Sequence, residues 1–243
     1  MLDETEPPAA APDDRIAWGP REIAQALGIV IAGMVFVTAA AVLVIVAAGI
    51  DLSDPQVLGI GLVATMFLDL GLFGLAAFFS IGRYRLRWSE LGFRPLAFDR
   101  AWVIAATVVS MFAVVVVYTV IVQLVGAEKL LPQSSLAGDI FDNRALVVMA
   151  GVAAILTAPF AEETFFRGFL FPGLVKRLGI FGAALASGFL FSLAHAQPTT
   201  LIPFTFVGML LAWCYFYTGS LWTSIGAHLV FNLIGFSVTV AGW

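Results

Sequence analysis

From Leu178 to Trp243 the chain runs 66 residues without a single Asp, Glu, Lys or Arg. Soluble domains draw about 25% of their residues from those four types. So long an uncharged stretch cannot clothe the surface of a water-soluble globule. It suffices for three membrane spans of ~20 residues each. Its natural breaks fall at residues 197–200 (QPTT) and 218–220 (TGS). The rest of the chain agrees: over 243 residues it is 61% hydrophobic and 12% charged. This composition excludes soluble enzymes, nucleic-acid binders and disordered proteins. An outer-membrane barrel is excluded too, because it would show short alternating segments rather than continuous apolar ones. The expected fold class is all-α, a polytopic membrane helical bundle. The lone cysteine, Cys214, lies in an apolar run and permits no intrachain disulfide.

Residues 1–22 are acidic and rich in Pro and Ala. They read as a disordered cytoplasmic tail ahead of a single transmembrane domain, residues 23–243. Span 1 covers residues 23–50. Span 2 runs over about residues 56–82 and is interrupted by Asp69. A basic loop occupies residues 83–100, and span 3 covers about residues 101–125. A polar loop ends at Arg144. Span 4 starts at Ala145 and reaches the Lys176–Arg177 turn, and three spans follow. The count is seven, or eight if the long fourth element is broken. With the N-terminus in the cytoplasm, nine basic residues lie inside (Arg15, Arg21, Arg83, Arg85, Arg87, Arg94, Arg100, Lys176, Arg177) and two outside (Lys129, Arg144). That is a positive-inside bias. The basic loop is read first as a topological anchor, with anionic headgroups or an acidic substrate as its alternative ligands.

A charge at mid-bilayer costs at least ~2.5–3.5 kcal/mol, so polar residues inside spans mark function. Few exist here: Asp69, Glu162, Glu163, Arg167, His195, His228 and Asn232, with scattered Ser, Thr and Gln. Four residues apart on a helix, Glu163 and Arg167 share a face and can pair. Glu162 points about 100° away with no local partner. That is the setting of a general base or acid, although both glutamates could instead face the cytoplasmic interface. In FSLAH (191–195), Phe191 sits one turn from His195 and would pack on it. In HLVFN (228–232), His228 and Asn232 share a face and could donate to an oxyanion, or simply bond two helices together. Glu162 and His195 lie equally far along the chain from the turn near Leu178. An antiparallel hairpin would set them at equal depth, the arrangement of a water-activating dyad. His228, however, falls near the inner end of the last span and His195 near the outer end of the fifth. They meet only if spans 5 and 6 are sunk or tilted.

EETFFR (162–167), FSLAH and HLVFN, in this order, resemble the Glu-Glu-x-x-x-Arg, Phe-x-x-x-His and His-x-x-x-Asn motifs of the CAAX-protease and bacteriocin-processing family of intramembrane proteases (the Abi or type II CAAX prenyl endopeptidase group). The resemblance covers residues 145–235, with RGFLFPGL, TGSLWTSIGAH and, more weakly, LGFRP as further likenesses. It implies about eight spans around a cavity open to the cytoplasm. It implies that Glu162 and His195 activate water, that His228 and Asn232 hold the oxyanion, and that Glu163 and Arg167 support them. Relatives are described both as metal-dependent and as metal-free. A zinc ion could take Glu162, His195 and His228. HExxH is absent, and the motif residues are accounted for without a metal, so no cofactor is the favoured reading.

The expected function is therefore an intramembrane endopeptidase of a bacterial cytoplasmic membrane. It would cut a membrane-associated peptide or protein, lipidated or not, with the bilayer as its other partner. The alternative is a non-proteolytic scaffold or immunity protein of the same fold. A third class, a small proton-coupled carrier, draws its support from Asp69; the bland reading of Asp69 is a hydrogen bond within the bundle.

Overall fold

The computed structural model describes residues 16–132 and 138–242. Among them there is no strand. Six helical elements are long and apolar enough to cross a bilayer: Pro20–Ala47, Pro55–Gly82, Phe98–Leu124, Arg144–Ala194, Pro198–Thr218 and Leu221–Ala241. The chain is an all-helical integral membrane protein. The helices are α1 (Pro20–Ala47), α2 (Pro55–Ala77), α3 (Trp102–Leu124), α4 (Arg144–Val152), α5 (Ala158–Glu163), α6 (Phe171–Ala194), α7 (Leu201–Thr218) and α8 (Leu221–Ala241).

Local signals set the boundaries. Pro20 opens α1, and Glu22 accepts the Gly19 N–H at 3.0 Å. Asp54 caps α2 through the Gln56 N–H at 2.8 Å, and Asn143 caps α4 through Ala145 at 2.9 Å. Gly219, at φ 69°, ends α7 in the left-handed conformation. π-helical turns at Ala153–Thr157 and Thr164–Leu170 join α4, α5 and α6 into one continuous rod. The rod breaks at Gly179, whose φ of 66° and ψ of 174° lie outside the helical region. Beyond it α6 doubles back. The Ser187 hydroxyl donates to the Phe166 carbonyl at 3.0 Å, and the Phe191 and Phe166 rings meet at 5.5 Å. The 51-residue element thus folds back on itself, and its second leg, residues 180–194, is short for a full crossing, so the described residues give six membrane-crossing elements against the seven spans expected from the sequence. We call its first leg, from Arg144 to the break, the motif helix.

Of the expected tail of residues 1–22, residues 16–22 lie among the described residues, and Pro20 already opens α1. Residues 1–15 lie outside the described residues, so nothing bears on the disorder expected there. Trp18, however, is buried at 4% exposure. Its indole N–H donates to the Phe169 carbonyl at 2.7 Å, and its ring stacks on Phe169 at 5.9 Å. A large apolar ring with one polar atom is held once that atom finds a partner in the core. Gly173 provides the room, since a Cβ there would stand 2.8 Å from the Trp18 ring.

α8 runs antiparallel to the motif helix. Leu221 sits opposite Gly168, His228 opposite Glu163, Asn232 opposite Ala154 and Phe236 opposite Gly151. The α7–α8 junction therefore lies level with Gly168, about 15 Å short of the rod's inner end. The space beneath it is filled by the loop between α2 and α3. Leu91 is fully buried, the Leu221 N–H donates to the Gly92 carbonyl at 2.7 Å, and the Ser220 hydroxyl donates to the Arg94 carbonyl at 2.6 Å. Gly92, at φ 106°, passes under Tyr215, where a Cβ would come within 2.6 Å of the ring. The basic loop is thus more than an anchor, because its LGFRP segment is the seat of the last two helices.

Candidate active site

The motif helix carries the charged residues at the junction of α5 with the second π-helical turn. Glu163 and Arg167 form the i, i+4 pair: the guanidinium donates to Glu163 Oε1 at 2.8 Å, and both side chains are fully buried. Arg167 also donates to the Gly208 carbonyl of α7 at 3.1 Å and lies 4.5 Å above the Phe191 ring. Further bonds offset part of the cost of burying the pair, while Glu163 Oε2 and Arg167 Nε stay buried with no hydrogen-bond partner among the described residues. Gly208 is what lets the arginine reach a backbone carbonyl there. Its Cα packs against Gly188, and a Cβ would fall 2.6 Å from the Gly188 Cα.

His228 is the third member. Its Nδ1 lies 2.9 Å from Glu163 Oε1. A carboxylate only accepts, so this nitrogen carries the hydrogen. The opposite nitrogen, Nε2, faces Glu162 Oε2 at 3.9 Å. Glu162 makes no hydrogen bond among the described residues, and its side chain keeps 16% exposure. The result is a line of four groups, Arg167–Glu163–His228–Glu162, in which each buried member holds the next and the last is open.

His195 caps the end of α6. Its Nδ1–H donates to the Phe191 carbonyl at 2.9 Å, and its ring lies edge-on between Phe191 at 4.7 Å and Phe204 at 5.0 Å. Phe191 also meets the His228 ring at 5.6 Å, so one phenyl separates the two histidines. No hydrogen bond or ion pair joins His195 to Glu162 among the described residues. The imidazole nearest Glu162 belongs to α8 rather than to α6, although hairpin arithmetic pairs Glu162 with His195. Sequence distance along a hairpin gives depth, whereas the C-terminal cap bond to Phe191 turns this ring aside.

Asn232 donates to the Ala154 carbonyl at 2.8 Å. The reason is local. In a π-helical turn the carbonyl of Ala154 would accept from the residue five further on, which is Pro159 and has no N–H. Asn232 supplies the missing donor. Asp69 of α2 accepts from the Thr157 hydroxyl at 3.4 Å. α2 runs parallel to the motif helix, with Phe73 against Phe160 and Phe79 against Phe169. Asp69, His228, Glu163 and Arg167 all stand close enough for their charges to act on Glu162. Thr157 and the Gly188–Gly208 crossing carry no sequence signal of their own, since their partners lie on other helices.

Of Glu162, His195 and His228, the first and last stand 3.9 Å apart, and the His195 Nδ1–H is bonded to the Phe191 carbonyl. Among the described residues no three His, Cys, Asp or Glu side chains gather closely enough to hold an ion.

Residues 144–234 match the family model for Rce1-like proteins, type II CAAX prenyl endopeptidases. The chain is also 27% identical over 131 residues to a Bacillus subtilis (strain 168) protein, YdiL, named as a membrane peptidase. That alignment covers 54% of this chain and 52% of the relative, so the chain spans about half the length of the curated relative it matches. No solved structure matches the chain. The family match covers the whole segment that holds EETFFR, FSLAH and HLVFN. Through that segment the chain is similar to the type II CAAX prenyl endopeptidases and to a protein named as a membrane peptidase.

Proposed function

We propose that the chain is an intramembrane endopeptidase that hydrolyses a peptide bond of a membrane-associated peptide or protein, with Glu162 as general base. The observation that carries this reading is the pairing of Glu162 with His228 at 3.9 Å while Glu163 holds the far side of the imidazole. The role assigned to His228 needs a hydrogen on both ring nitrogens, and with Glu162 ionised the four groups then sum to zero charge.

The reaction then runs in two steps. Glu162 takes a proton from water, and the oxygen forms a bond to the scissile carbonyl carbon. Protonated His228 donates from Nε2 to the oxyanion. The C–N bond breaks as Glu162 returns its proton to the leaving amine. His195 has its hydrogen on Nδ1 and is set apart by Phe191, so no part in activating the water is assigned to it. Asn232 spends one amide hydrogen on Ala154 and keeps the other for the oxyanion. No metal is assigned a part. The cell context that fits this reading is a bacterial cytoplasmic membrane with the N-terminus inside.

The test compares protein termini in membranes expressing wild type or Glu162→Gln. Termini that appear with wild type and vanish with the variant, at equal protein level, are the expected result. Identical sets of termini would remove the peptidase reading and leave a binding protein of the same fold.

A further inference from the structure

Asp69 lies near the middle of α2, 13 residues from its continuation's end at Gly82 and 14 from Pro55. An acid at that depth is costly and normally has a partner of opposite charge. Here it has none. No Lys, Arg or His pairs with it among the described residues. Within the rod, Arg167 is committed to Glu163. The remaining basic residues belong to the ends and loops. Asp69 bonds only the hydroxyl of Thr157 at 3.4 Å, a residue of the motif helix itself. It is half-buried. Its charge also reaches Glu162.

We propose that Asp69 is a specificity-determining residue that receives a basic side chain, Lys or Arg, of the substrate. This rests on the reading of Glu162 as the base. Thr157 precedes Glu162 by five residues, about 7 Å along the rod. An extended peptide advances ~3.3 Å per residue, so a side chain about two residues from the bond held at Glu162 comes level with Asp69. The newly formed amine is generated at Glu162 and lies too far away to be the intended cation. A substrate cation removes the cost of the unpaired acid, and a neutral side chain does not. The binding energy therefore discriminates between the two.

The experiment maps cleavage sites by their new termini in membranes expressing wild type, Asp69→Asn, Asp69→Glu and Glu162→Gln. Wild type is expected to cut where Lys or Arg stands within three residues of the bond, about tenfold above background. Asp69→Asn is expected to reduce that preference to background while cleavage continues, and Asp69→Glu to retain it. Each variant is scored at equal membrane level. Should Asp69→Asn fail to accumulate, the basic residue of one mapped substrate is changed to Gln and presented to wild type, and a fall of about tenfold is expected. Sites with no basic excess, a preference that survives Asp69→Asn, or an indifferent substrate variant would each overturn the proposal and leave the peptidase reading standing. Termini unchanged by Glu162→Gln would instead remove that reading, and the proposal with it.

Discussion

Two adjacent glutamates of the same chemistry are given opposite duties by 100° of helical rotation. Glu163 is fully buried and holds both Arg167 and His228, whereas Glu162 makes no hydrogen bond among the described residues and meets His228 only at 3.9 Å. Glu163→Gln leaves the Arg167 charge uncompensated in the core and is expected to cost about 3–5 kcal/mol. Glu162→Gln breaks no hydrogen bond and is expected to cost about 1 kcal/mol or less. Thermal unfolding in detergent separates the two; equal losses would contradict the assignment. The i, i+4 pair was legible in the sequence because its geometry is local. His228 as the neighbour of Glu162 was not, because the two meet across separate helices. His195 shows the limit from the other side. Depth could be counted along the chain, but the direction of the ring depended on a cap bond to Phe191.

At the scale of the element, the motif helix is governed by where its backbone bonds are missing. Asn232 repairs the carbonyl that Pro159 leaves without a donor. Asn232→Leu is expected to cost about 1–2 kcal/mol by leaving that carbonyl unpaired. The same change in a Pro159→Ala background is expected to cost less, since the substituted residue would bring its own N–H. Additive losses in the double-mutant cycle would refute this account. The crossing of α6 and α7 gives a second check. Gly208→Ala places a methyl 2.6 Å from the Gly188 Cα, whereas a Cβ at Gly74 of α2 meets nothing within 4 Å. The first is expected to destabilise by about 1–3 kcal/mol and the second to be neutral or better, read as midpoint shifts. Helix spans and the turn at Leu178 were readable from hydropathy and charge. The π-helical turns were not, because they answer to partners on α2 and α8 as well as to the prolines.

For the whole molecule, the positive-inside bias predicts that the segment of residues 83–100 faces the cytoplasm. Reporter fusions at Phe98 and at Lys129 should report opposite sides of the membrane. Membrane character was readable in advance because it follows from composition along the chain, whereas the count of seven exceeds the six crossing elements because the leg after Gly179 is short. The recess of the α7–α8 junction stayed hidden because it depends on what fills the space below it. That recess has a consequence for how the protein is made. Arg94 leaves the ribosome 126 residues ahead of Ser220, the residue that bonds to it. The seat is therefore synthesised long before the helices that rest on it. The last hairpin enters the bilayer against a surface already folded by the first half of the chain. Swapping the order of the two halves by circular permutation would present α7 and α8 with no seat, and they would have to wait unsupported in lipid for it to arrive.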